Sequence, residues 1–225
     1  MSKNIVAIGG GGFGRTLGDL VIERYLISLS QKEQPKICFI PTASGDNDLY
    51  KLNFYRAFSQ LNCTTTHLDF FSRTENLENK ILSQDIIYVG GGNTKSMLAV
   101  WKDWGLDKIL KLAYEKGLIM SGVSAGAICW FDYGITDSYA DKLEILECLG
   151  FIKGIACPHY DEEVERQPFV ERMLTNNVIE SCICIEGYCA LHINDENFYK
   201  SINFGKHKKS FELYKNSNQI LKKIF

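Results

Sequence analysis

The chain lacks the sequence signs of an exported or membrane-embedded protein. Its N-terminus, Met1-Ser2-Lys3-Asn4-Ile5-Val6-Ala7-Ile8, reaches glycine after four apolar residues. That run is too short for the core of a signal peptide and far too short to span a bilayer. No C-x-x-C pair occurs among the eight cysteines, Cys38, Cys63, Cys129, Cys148, Cys157, Cys182, Cys184 and Cys189. Cys182-Ile183-Cys184 would put two sulfurs on one strand face, but no second pair or histidine stands at zinc-site spacing. The cysteines therefore read as buried free thiols of a reducing compartment, with no metal, and the expected location is the cytoplasm. Neither sign of charge dominates: 25 Lys and Arg face 27 Asp and Glu, for a net charge of −2. This balance gives no electrostatic reason to expect nucleic acid or a membrane surface as partner. The one basic cluster, Lys206-His207-Lys208-Lys209, reads as solvated surface. There is no internal repeat, low-complexity tract or linker. With 225 residues, 45% of them hydrophobic, the chain is expected to form a single domain over 1–225 with a full core.

Short β-branched runs alternate with amphipathic stretches. Strands are expected at about 4–9, 36–40, 64–70, 84–89 and 118–121. Helices are expected at about 17–30, with Leu17, Val21, Tyr25 and Leu29 recurring every four residues, and at 48–61, 94–101 and 106–116. Such an order, with nearly continuous apolar strands, predicts an α/β fold: a mostly parallel sheet with helices on both faces. Beyond residue 130 the pattern loosens. A helix at 162–174 and short strands at 182–186, 189–193 and 211–214 predict a C-terminal antiparallel extension of the same domain.

Three turns rich in glycine or serine follow strands, after Ile8, Val89 and Met120, and ligands of parallel sheets bind at that carboxyl edge. Gly9-Gly10-Gly11-Gly12-Phe13-Gly14 matches the dinucleotide fingerprint G-x-G-x-x-G. The second strand ends Ile40-Pro41-Thr42, however, without the carboxylate that would hold a ribose, and Glu33 precedes the strand. The glycines read instead as places where backbone passes close to a substrate or a neighbouring loop. Gly122-Val123-Ser124-Ala125-Gly126 reads G-x-S-x-G at a strand-to-helix turn, a nucleophile elbow that projects a serine hydroxyl from strained backbone. A serine needs a base in reach, and that base needs an orienting acceptor. Of the four histidines, His159 in Cys157-Pro158-His159-Tyr160-Asp161 leaves an apolar segment at a proline and is the best candidate.

Val89-Gly90-Gly91-Gly92-Asn93-Thr94, Gly122-Val123-Ser124-Ala125-Gly126-Ala127, Pro158-His159-Tyr160 and Ile185-Glu186-Gly187 occur in an order that resembles the peptidase E family. These serine peptidases include α-aspartyl dipeptidase and, more distantly, cyanophycinase. The resemblance covers about residues 85–190, and the opening strands are compatible with it. It implies a class I glutamine amidotransferase-like, or flavodoxin-like, α/β fold without metal or cofactor. It further implies Ser124 as nucleophile, His159 as general base, and either Glu186 or Asp137 as the third member. Backbone N–H groups of Gly91 or Gly92 and of Ala125 would form the oxyanion hole. Asn93 would shape the glycine turn or contact substrate, a short peptide. The dipeptidase members carry an arginine just after the nucleophile helix, which the stretch from Trp130 to Thr136 lacks. Aspartyl specificity is therefore left open, with Arg15 and Arg73 as cations on other loops and Asp46 and Asp48 near the expected site or capping the next helix. The alternatives are a non-hydrolytic binding protein on the same fold and, further off, a dinucleotide-dependent enzyme.

Overall fold

The computed structural model describes every residue except Met1, Leu17 and Asn218. Its first sheet contains β1 (Asn4–Ile8), β2 (Lys36–Ile40), β3 (Thr64–His67), β4 (Ile86–Val89) and β5 (Ile119–Val123). These strands run parallel in the order β1-β5-β4-β2-β3. Between them lie α1 (Val21–Leu29), α2 (Asp48–Phe58), α3 (Leu77–Leu82), α4 (Thr94–Trp104) and α5 (Leu106–Glu115). The expected helix start at Leu17 lies outside the described residues, and α1 begins at Val21.

Strand alternation divides the core in two. Val6, Ile8, Ile37, Phe39, Ile86 and Tyr88 face one side, where Leu26 of α1 and Phe54 and Phe58 of α2 cover them. Ile5, Ala7, Cys38, Ile40, Ile87 and Val89 face the other, against Met97 and Trp101 of α4 and Leu110 of α5. Both faces are thus dry, which is why these strands read as continuous apolar runs.

The C-terminal third differs in detail from a single antiparallel extension. After α6 (Ala125–Ile128), the strands β6 (Phe131–Thr136), β7 (Glu144–Glu147) and β8 (Ile152–Cys157) begin a second sheet. Following α7 (Arg166–Thr175) come β9 (Ser181–Ile185), β10 (Cys189–Asn194), β11 (Phe198–Asn203), β12 (Ser210–Asn216) and β13 (Gln219–Ile224). Here β10 and β11 extend the first sheet, antiparallel to β1. The second sheet has the order β13-β12-β9-β8-β6-β7, with β6, β8 and β9 parallel. Consecutive strands β9 and β10 therefore belong to different sheets. The turn at Gly187-Tyr188 is held across the end of β1, where Gly9 N–H donates to Cys189 O at 2.9 Å and Tyr188 N–H to Gly10 O at 3.0 Å. Pro168 sits in the first turn of α7, where a missing N–H breaks no helical hydrogen bond.

Candidate active site

Strand register brings the three turns together. Ile8 pairs with Val123, and Val89 pairs with Gly122, so β1, β5 and β4 end side by side. Ser124 follows β5 at φ 57° and ψ −111°, a conformation that costs a non-glycine residue about 1–3 kcal/mol. Its N–H donates to Ile8 O at 3.0 Å, which fixes the turn. The flanking glycines are dictated by space. A Cβ on Gly126 would lie 2.2 Å from Val89 O, and one on Gly122 would lie 2.5 Å from Gly126 O. Only without side chains can α6 sit this close to β4 and β5.

Gly91 lies against the serine: a Cβ there would be 3.3 Å from Ser124 Cβ and 3.9 Å from Oγ. Its N–H donates to the Tyr50 hydroxyl at 3.4 Å. Gly92 has φ +137°, and a Cβ on it would meet Ala43 O at 2.2 Å. Ala125 opens α6, and the first N–H groups of a helix have no partner within it. Asn93 caps α4, accepting the Ser96 N–H at 2.8 Å, and its Nδ2 donates to Ser138 O at 3.4 Å.

His159 is held at φ 51° and donates its N–H to Gly9 O at 3.1 Å. With Ser124, Gly91, Tyr50 and Arg15 it lines a cavity of about 350 Å³. The ring is almost buried, and its Nδ1 lies 2.7 Å from Glu162 Oε2. That oxygen also receives Arg15 Nη1 at 2.7 Å. Burial lowers the His159 pKa and outweighs the Glu162 hydrogen bond, which raises it; Arg15 adds to the lowering. The imidazole is consequently neutral at pH 7 and able to take a proton. Arg15 Nη2 also approaches Nδ1, at 3.3 Å, but the Glu162 carboxylate is nearer at 2.7 Å. With the proton on Nδ1 donated to Glu162, Nε2 is the nitrogen left to accept one. The N-terminal glycines make room for this pair. A Cβ on Gly10 would lie 2.6 Å from Glu162 Oε2 and 2.9 Å from His159 Nδ1, and one on Gly187 would lie 2.2 Å from Glu162 Cδ.

Neither acid expected from the sequence bonds to this imidazole. Glu186 turns its carboxylate to the Lys209 N–H at 2.8 Å, closing the approach of β9 to β12. Its peptide, not its side chain, faces the first glycine turn, where a Cβ on Gly9 would be 2.2 Å from Glu186 O. Asp137 is 70% exposed and stands 3.9 Å from Arg166 Nη2. It lines a second cavity of about 260 Å³ that Ser124 also borders, with Asn93, Glu163 and Arg166. Glu162, three residues after His159, was not singled out by sequence, although an i, i+3 acid in a turn is a detectable spacing. Of the two loop arginines, Arg15 reaches the cavity, whereas Arg73 pairs with Glu75 at the surface. Asp46 accepts the N–H groups of Phe70 and Phe71. The cap of α2 is Asn47, which accepts the Tyr50 N–H, and Asp48 is exposed.

Among the described residues no group of three or more His, Cys, Asp or Glu side chains is arranged to hold a metal ion, and no helix is long and apolar enough to cross a membrane. All eight cysteines are free.

Comparison with known proteins agrees with this architecture. The model of peptidase family S51 matches residues 5–200. The chain is 41% identical over 219 residues to the uncharacterized peptidase YgaJ of Bacillus subtilis (strain 168), covering 97% of this chain and 95% of that protein. It is 30% identical over 142 residues to the uncharacterized peptidase Lin0382 of Listeria innocua, covering 56% of this chain and 64% of that one. A peptidase from an acI-B1 Actinobacterium shares the fold with a TM-score of 0.76 at 18% identity, over 100% of this chain and 98% of that one. A putative peptidase E protein of Listeria monocytogenes EGD-e does so with a TM-score of 0.69 at 21% identity, over 91% and 100%. The elbow-bearing sheet accordingly has its counterpart in solved peptidases, and the chain belongs to peptidase family S51 and is a serine-type peptidase.

Proposed function

We propose that the chain hydrolyses short peptides, dipeptides among them, through Ser124, His159 and Glu162. The observation that carries this reading is the cavity shared by the strained Ser124 and the neutral, Glu162-bound His159. His159 Nε2 takes the Ser124 proton as Oγ attacks the peptide carbonyl. Glu162 steadies the imidazolium, which then protonates the leaving amine, and water activated by the same histidine releases the acyl group. The Gly91 and Ala125 N–H groups receive the oxyanion, with Gly92 and Asn93 holding the turn in shape. Glu186 then has a structural task at the junction of β9 and β12, and Asp137 faces substrate from the second cavity. Arg15, 45% exposed in the cavity wall, supplies the cation missing after the elbow and favours substrates carrying a carboxylate. One catalytic domain working without cofactor in the cytoplasm, with no nucleic-acid partner, completes the reading; the free thiols and balanced charge support it.

The test is a dipeptide library assayed with wild type and Ser124→Ala, together with fluorophosphonate labelling. Loss of turnover by the variant and labelling of Ser124 in the wild type are expected. Wild-type rates in Ser124→Ala would end the serine assignment. The absence of both labelling and hydrolysis would leave a non-hydrolytic binding protein on this fold.

A further inference from the structure

Tyr50, in the first turn of α2, lines the cavity with Ser124 and Gly91, and no step above uses it. Its ring is fixed in place. Phe39 and Phe13 stand with ring centroids 5.0 and 5.4 Å away. A Cβ on Gly90 would lie 2.9 Å from Tyr50 Cε1, and one on Gly14 would lie 2.9 Å from Cε2. Asn47 accepts the Tyr50 N–H at 2.9 Å and anchors the backbone. These contacts hold the ring with its hydroxyl beside the Gly91 peptide, which borders the nucleophile.

We propose that Tyr50 is a catalytic residue whose hydroxyl donates a hydrogen bond to the oxyanion beside the Gly91 N–H; this rests on Ser124 being the nucleophile. A phenol hydroxyl can accept one hydrogen bond and donate another. It accepts from Gly91 at 3.4 Å, a long contact compared with the usual ~2.9–3.0 Å. Among the described residues its own proton meets no acceptor. The phenol proton is therefore available to an oxygen that forms beside Gly91 when Ser124 attacks, and the long Gly91 contact is weak enough to be exchanged for a bond to that oxygen. Burial pushes the Tyr50 pKa up to about 12, so the hydroxyl keeps its proton at neutral pH. A donor already oriented by packing costs no reorganisation as charge develops, which is the condition for transition-state stabilisation. Gly14 and Gly90 acquire a reason here as well: side chains at either position would push the ring away from Gly91.

Tyr50→Phe removes one oxygen and keeps the ring contacts. Expected is a fall in kcat on the order of 10²-fold, with KM changed by no more than about twofold, because the bond is made only in the transition state. The Ki of a peptide aldehyde, which forms a tetrahedral adduct on the serine, should rise in parallel. A crystal structure of the wild-type adduct gives a readout that does not depend on the variant, with Tyr50 Oη expected about 3 Å from the adduct oxygen. A kcat within twofold of wild type, or an adduct whose oxygen stands apart from Oη, overturns the role of Tyr50 while Ser124→Ala remains inactive. Turnover by Ser124→Ala would instead remove the serine reading beneath it.

Discussion

Glu162 Oε2 lies 2.7 Å from His159 Nδ1, and the same oxygen takes a hydrogen bond from Arg15. A loop acid three residues past the histidine thus links the imidazole to a cation from the first glycine turn. Of the two acids expected at this place from sequence, Glu186 is bound instead to the backbone of Lys209, and Asp137 is exposed.

That relationship separates the two glutamates by experiment. Glu162→Gln should lower kcat/KM for a dipeptide by about 10²–10⁴-fold, since the imidazolium loses its counter-charge. Glu186→Gln should stay within about threefold of wild type, because an amide oxygen still accepts the Lys209 N–H. The reverse order of effects would restore Glu186 as the third member.

The acidic limb of the kcat/KM profile should fall below the ordinary histidine value of ~6.5. In the proposed mechanism His159 acts as a base only when neutral, so the rate rises with pH through its pKa, and burial lowers that pKa. Arg15 contributes to the lowering and Glu162 opposes it. Arg15→Met should therefore move the limb to higher pH, and Glu162→Gln should move it lower. A limb unmoved in both variants would mean that another group controls the profile.

Ser124→Gly should be inactive yet more stable than Ser124→Ala. Relief of the left-handed backbone is worth about 1–3 kcal/mol, and the extra freedom of glycine in the unfolded chain offsets about 0.5–1 kcal/mol. A net gain of about 1 kcal/mol over the alanine variant in urea denaturation is expected. Equal stabilities would mean that the elbow stores no strain.

The sequence by itself determined the elbow, the parallel strands of the first sheet and the glycine turns after them. Each is local: the apolar run at 118–121 reads as a buried strand, and Gly122 and Gly126 complete the G-x-S-x-G turn that follows it. The four ordered motifs likewise marked the peptidase family, since tight turns at strand ends tolerate few residue types. Residues 131–157 and the parting of β9 from β10 were not legible, because pairing partners far along the chain decide which sheet a short strand joins. The acid on His159 belongs to the same class. Glu186 was a candidate acid from its motif, but the N–H of Lys209, twenty-three residues on and just ahead of β12, takes its carboxylate. Glu162 was expected to open a helix, but α7 begins only at Arg166, and the space left by Gly10 and Gly187 lets its carboxylate reach the imidazole. Side-chain partners across a site depend on where several loops converge, and that convergence exists only in the folded chain.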